Sequence, residues 1–159
     1  MGVKAHSDSN GRYHNKVGIY VPLNKEKFVG TTFPQYKSLL ERAMMAYLDK
    51  TPQVIHWSYE PRPITYKDLT ILNEFGKPGK QRKYYIDFVA VIQRSDGKLK
   101  TVWIEVKSDH ETREPSKNAS SNAKEIWIRN NCKWAAARRV CESRGYEFLI
   151  LTDKQLLNG

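Results

Sequence analysis

The chain has 159 residues, 40% hydrophobic and 28% charged, with 27 Lys and Arg against 17 Asp and Glu, a formal net charge of +10. That length and composition support one domain with one modest core. They exclude a helical membrane span, because no apolar run approaches the ~18 residues one requires. The first ten residues hold no apolar stretch, so no secretory signal is expected. Cys132 and Cys141 fall nine apart in what reads as one helix. That is about 13 Å along its axis, too far for a disulfide. A reduced, cytosolic protein is expected. The basic excess favours a polyanionic partner, nucleic acid first. An anionic membrane surface or an acidic protein also fits the charge.

Residues 1–34 are polar and punctuated by Gly and Pro, without sustained periodicity. They read as an N-terminal arm, mobile or wrapped on the domain, ahead of a single domain over 35–159. The spacing predicts a helix over 35–49, with Tyr36, Leu39, Leu40, Ala43, Met44, Tyr47 and Leu48 on one apolar stripe. Pro52 stops it, and Glu41 lies on the rim of the stripe beside Met44 and Leu48. Strands follow at 54–59 and 64–66, and Pro61 and Pro63 limit pairing between them. Residues 67–82 read as a loop or a hairpin extension. Lys77, Lys80, Arg82 and Lys83 gather there as candidate contacts to DNA phosphates.

Two β-branched and aromatic runs, 84–93 and 99–107, flank Ser95-Asp96-Gly97, a hairpin signal. Residues 108–120 form a polar loop. A long helix over 121–144 ends at Gly145, the residue that fits a left-handed C′ position. A strand over 146–152 and a short helix over 153–157 complete the chain. The crossover from strand 101–107 through the long helix to strand 146–152 is expected to be right-handed, which makes those strands parallel. The expected fold is α/β, a mixed β-sheet flanked by helices.

The hairpin carries the chemistry. A three-residue loop with Gly97 left-handed pairs Arg94 with Lys98. Counting down that ladder sets Asp87 directly opposite Glu105, about 5 Å apart at Cβ on one face. Two facing carboxylates repel unless a cation neutralises them, and Mg²⁺ takes oxygen ligands. Lys107 follows Glu105 by two and points to the same side. It can position a water or offset charge on a pentacovalent phosphorus. Together these residues are a kit for metal-assisted phosphodiester hydrolysis. A solvated cross-strand salt bridge is the plain alternative. The flanking runs Ile86–Ile92 and Val102–Val106 are apolar enough to be buried on both faces, which makes a charged pair there costly.

On the long helix, Ile126, Trp127, Trp134, Ala137, Val140 and Cys141 form one stripe, with Asn130 near its centre and Lys133 inside one edge. Those two polar residues either satisfy buried groups or point at the site or a phosphate. The tryptophans are expected in the core.

Tyr85-Ile86-Asp87-Phe88 followed by Ile104-Glu105-Val106-Lys107 resembles the D…ExK core of the PD-(D/E)xK nucleases. Glu41 matches the helix carboxylate that many members place beside the metal. Ile86 stands where the motif usually has Pro. More of the chain, about residues 20–155, resembles one branch, the head completion nucleases of T-even-like phages. The similar stretches include Tyr20-Val-Pro22, Ser38-Leu-Leu-Glu41, Ser58-Tyr-Glu60, Asn130-x-x-Lys133-Trp134 and Arg144-Gly145-Tyr-Glu147.

The resemblance implies a restriction-endonuclease-like core and a metal-dependent DNA nuclease acting in head completion, on the packaged DNA end before tail joining. By position, Glu41, Asp87 and Glu105 would hold Mg²⁺, with Mn²⁺ as a substitute, and Lys107 would be catalytic. Glu60, Asn130 and Lys133 match the family pattern without an assigned role. Double-stranded DNA is the implied partner, together with portal or neck proteins. The host cytoplasm and the virion are the implied locations. A non-cutting head or neck protein and a transposon- or resolvase-type endonuclease are the alternatives. The four histidines fit no zinc spacing with the cysteines. His6 and His14 sit in the arm, His56 on an exposed strand face, and His110 in the loop after the motif.

Overall fold

The computed structural model describes residues 16–157. His6 and His14 lie outside them. Helix α1 runs from Leu39 to Lys50. It begins four residues later than its periodicity suggests, because Gln35–Tyr36 (β2) is extended and pairs with Gly18–Ile19 (β1). Ser38 then caps the helix, its Oγ accepting from the Glu41 N–H at 3.1 Å. Tyr47, expected on the buried stripe, is exposed, and Met45 is fully buried instead. Met45 and Asp49 are one turn apart, on the side of α1 that the N-terminal segment covers. Asp49 accepts from the Tyr20 hydroxyl and the Leu23 N–H at 2.7 Å, and from the Asn24 N–H at 2.9 Å. Phe28 packs against Trp57, ring centroids 4.8 Å apart and planes tilted by 56°. The described part of the predicted arm is thus packed onto the domain.

Strands Val54–Tyr59 (β3), Phe88–Gln93 (β6), Leu99–Lys107 (β7) and Glu147–Thr152 (β8) form a mixed sheet in the order β3-β6-β7-β8. The β3–β6 and β6–β7 pairs are antiparallel, and β7–β8 is parallel across helix Ser121–Arg144 (α2). Gly145 ends α2 at φ 70°. A short helix, Asp153–Leu157 (α3), follows β8. The β6–β7 register matches the count from the turn. Phe88 pairs with Ile104, the Arg94 N–H donates to Lys98 O, and Gly97 sits at φ 82°.

One face of the sheet, with Phe88, Ala90, Ile104 and Val106, packs on Met44 and Leu48 of α1. The other face, with Val89, Trp103 and Phe148, packs on Ala137 and Cys141 of α2. Of the α2 stripe, Trp134 is buried but Ile126 is 43% exposed. The 67–82 segment is a hairpin extension. Pro63–Leu72 (β4) pairs with Pro78–Tyr85 (β5) as a separate two-stranded ladder that lies on α2. Its inner face buries Tyr66 and Asp68. Asp68 is 0% exposed and binds Arg82 of β5 and Arg129 of α2, both at 3.1 Å. One buried carboxylate therefore ties the hairpin to the helix.

Candidate active site

Asp87 is the second of the two residues, Ile86 and Asp87, between the end of β5 and the start of β6. Ile86, in the position where the motif usually has Pro, is 1% exposed and packs toward α2. That anchor turns Asp87 to the rim of the sheet. Its Oδ2 accepts from the Val106 N–H at 2.8 Å, and its carbonyl accepts from the Glu60 N–H at 2.9 Å.

Three elements bring carboxylates to this point. Glu41 comes from the first turn of α1, Glu60 from the end of β3, and Asp87 from the start of β6. One oxygen of each lies within 4.8 Å of the others. Glu41 is held firmly. Its Oε1 accepts from the Lys37 N–H at 2.8 Å and its Oε2 from the Tyr59 hydroxyl at 2.7 Å. Burial, and then this bond, push the Tyr59 hydroxyl far above the usual tyrosine range, so it stays a donor. Glu60 adopts φ 46° and accepts from Lys37 Nζ at 2.9 Å. Burial works against the Lys37 ammonium, but the Glu60 bond outweighs it and raises its pKa.

Glu105 is 4% exposed and faces Asp87 from β7. Burial, then the Asp87 charge, push its carboxyl well above the usual carboxylate range, and Lys107 opposes the shift. Desolvation raises Asp87 as well, against the Val106 bond and the Lys107 charge. Glu105 Oε1 is buried without a hydrogen-bond partner. An orphaned carboxylate oxygen beside a cluster of oxygen donors is what a hard divalent cation satisfies. Lys107 lines the same open cleft, about 310 Å³, with Glu41, Glu60 and Asp87.

The sequence candidates divide here. Asp87, Glu41 and Lys107 share the cleft. Glu105 is absent from the three-carboxylate set and touches it through Asp87. Glu60 takes a place in the set instead. The signal for it was its position beside Pro61, at the rim end of a strand whose neighbour in the sheet begins after Asp87. Asn130 is buried. Lys133 lies with its amine 5.8 Å from the Tyr66 ring and 5.6 Å from the Tyr84 ring, and burial, then Lys107, lower its pKa. His110 is exposed and His56 points outward. Lys77, Lys80 and Lys83 are exposed on the hairpin, whereas Arg82 is paired with Asp68.

The TnsA-like endonuclease N-terminal family matches residues 51–153, from the end of α1 through β8. The chain belongs to this family. Its restriction-endonuclease-like fold accounts for the mixed sheet with a helix on each face. The matched span includes Glu60, Asp87, Glu105 and Lys107, and Glu41 lies before it. A head completion nuclease of Enterobacteria phage T4 is 33% identical over 149 residues, covering 87% of this chain and 92% of that protein. This TnsA-like chain is therefore similar, along nearly its whole length, to a nuclease of phage head completion. No helix among its described residues is long and apolar enough to cross a membrane.

Proposed function

We propose that this protein is a divalent-metal-dependent DNA nuclease that acts in phage head completion, on the packaged DNA end before tail joining. The observation that carries the reading is the convergence of Glu41, Glu60 and Asp87 within 4.8 Å, with Glu105 against Asp87 and Lys107 in the same cleft. Asp87 belongs to both carboxylate groups and is the central ligand. Glu105, Glu41 and Glu60 complete the donor set. All donors are carboxylate oxygens, which suits Mg²⁺, with Mn²⁺ as a substitute. When bound, the cation supplies Lewis-acid stabilisation of the phosphate and a more acidic water.

The chain's own residues do the rest. Tyr59 and the Lys37 N–H fix the Glu41 carboxylate, so the site is preorganised. The Val106 N–H fixes Asp87. Lys107 orients the attacking water and offsets the charge that develops on phosphorus. Lys77, Lys80 and Lys83 contact phosphates along the duplex, beside Lys133. Double-stranded DNA is the substrate and portal or neck proteins are the partners. The site of action is the host cytoplasm and the assembling virion.

The test is cleavage of linear and circular duplex DNA by wild type and Asp87→Ala, with Mg²⁺, Mn²⁺ or EDTA. Metal-dependent cutting that the substitution abolishes supports the reading. Cutting that survives Asp87→Ala would sink it. Attack on circular DNA separates an endonuclease from an end-directed exonuclease.

A further inference from the structure

Helix α2 leaves part of its sheet face open. Ser58, Val89 and Trp103, register partners across β3, β6 and β7, line a second and larger cleft of about 830 Å³. That is the size of a site that encloses a sizeable organic ligand, about 300–1,000 Å³. Glu60 lines both this cleft and the carboxylate cleft, so the two lie side by side.

The lining combines aromatic surface with positive charge. Phe33, from the segment before β2, is 44% exposed, and Lys25 Nζ lies 5.7 Å from its ring. Tyr146 packs beside Trp103, ring centroids 6.2 Å apart. Arg62 and Arg144, both exposed, supply cations. Among the described lining residues the only acid is Glu60, which belongs to the carboxylate set. Apolar ligands need no arginines, and acidic peptides need no exposed aromatic ring such as Phe33 next to a phosphodiester site. Bases with their phosphates need both. Paired bases inside a duplex are stacked on both sides and offer no free face. An aromatic-lined concavity therefore gains contacts only from unpaired nucleotides.

We propose that this cleft binds an unpaired DNA strand at a duplex end, with Phe33 stacking on a base and Arg62 and Arg144 holding the phosphates next to the scissile bond. The proposal rests on the nuclease reading of the carboxylate site, and it makes the enzyme selective for frayed or overhanging ends.

The experiment uses the full chain and DNA carrying 2-aminopurine in a single-stranded overhang, with EDTA present so that nothing is cut. Stacking quenches the probe. Overhang DNA should bind at least about tenfold tighter than the blunt duplex and show quenching. Phe33→Ala should weaken overhang binding about tenfold and remove the quenching. Arg144→Ala should lower the salt dependence of overhang binding by about one phosphate contact. Phe33 and Arg144 are both at the surface, so these variants should melt with wild type, and circular dichroism checks that. Equal affinity for blunt and overhang DNA, no quenching, or quenching that Phe33→Ala leaves intact overturns the proposal. Cleavage that depends on Asp87 but shows none of these signals leaves the nuclease standing without the cleft. Overhang-specific quenching in a protein that cuts nothing with any cation leaves the cleft standing and removes the nuclease.

Discussion

Glu105 faces Asp87 from β7 with its side chain buried, and its Oε1 has no hydrogen-bond partner. Burial, and next the Asp87 charge, raise the Glu105 carboxyl above its ordinary value of 4.5, so without a cation the folded chain keeps a proton that the unfolded chain releases. The sign follows from proton linkage. Between pH 5 and pH 8 the folded state binds more protons, so this pair makes cation-free stability fall as pH rises. Glu105→Gln copies the protonated acid. Its melting temperature in EDTA should equal or exceed that of wild type and vary less with pH over that window. Added Mg²⁺ should raise the melting temperature less than in wild type. Cleavage should fall at least about 100-fold. Scanning melting temperature against pH, with and without cation, checks all but the last.

Glu60 carries its carboxylate on a left-handed backbone, φ 46°, the only non-glycine residue with positive φ among the described residues. Such a conformation costs about 1 kcal/mol or more relative to Gly. The Lys37 pair that accompanies it is solvent-accessible and contributes about 0–1 kcal/mol. Glu60→Gly therefore should leave the melting temperature within a few degrees of wild type, while cleavage drops about tenfold or more. A large loss of stability would mean that Glu60 is there to hold the fold.

Asp68 does not line the carboxylate cleft and has a different task. Burial alone would raise its pKa. Hydrogen bonds from the Thr70 hydroxyl and N–H, from Arg82 and from Arg129 outweigh burial and hold it at about 2, below the ordinary 3.8. A depressed carboxylate stabilises the fold above its unfolded pKa. That contribution, about 2 kcal/mol, is lost as pH falls from about 4 to 2. Asp68→Asn should lower stability at pH 7 and flatten the acid limb of the unfolding curve. Arg82→Ala should share the loss of stability. Lys83→Ala should leave stability unchanged and reduce only the salt slope of DNA binding by about 1. Chemical denaturation at pH 7 and pH 3 separates these variants.

Asp49 fastens the N-terminal segment to α1 through Tyr20, Leu23 and Asn24. Asp49→Ala strands those donors in a buried setting, at a cost of about 2–4 kcal/mol. Urea unfolding should show that loss. Limited proteolysis should cut first between residues 16 and 34.

The hairpin was legible because its chemistry is local. Ser95-Asp96-Gly97 fixes the turn, and the period of two along each strand then sets Asp87 opposite Glu105 with no further information. Helix α2 and its stop were legible for the same kind of reason: Gly145 tolerates the left-handed conformation that ends it. Glu41 was legible as a rim residue of α1, but its start was not, because Gln35 and Tyr36 pair with a strand seventeen residues away in the chain. The long β4–β5 hairpin was only half legible, since residues 67–82 read as a loop or a hairpin extension. Its inner face buries Asp68 against two arginines, so the apolar alternation that marks a strand is missing.

Local sequence is enough for the α/β order, the register of the β6–β7 hairpin and the placement of Asp87 against Glu105. Local rules suffice for these, since each turn or cap acts on its own neighbours. The meeting of Glu60 with Glu41 and Asp87, the bond of Arg82 to Asp68 and the cleft that α2 leaves beside the carboxylates come from the folded arrangement. Those features depend on where separate elements meet in space. No spacing along the chain encodes that, because it is set by which faces the core buries.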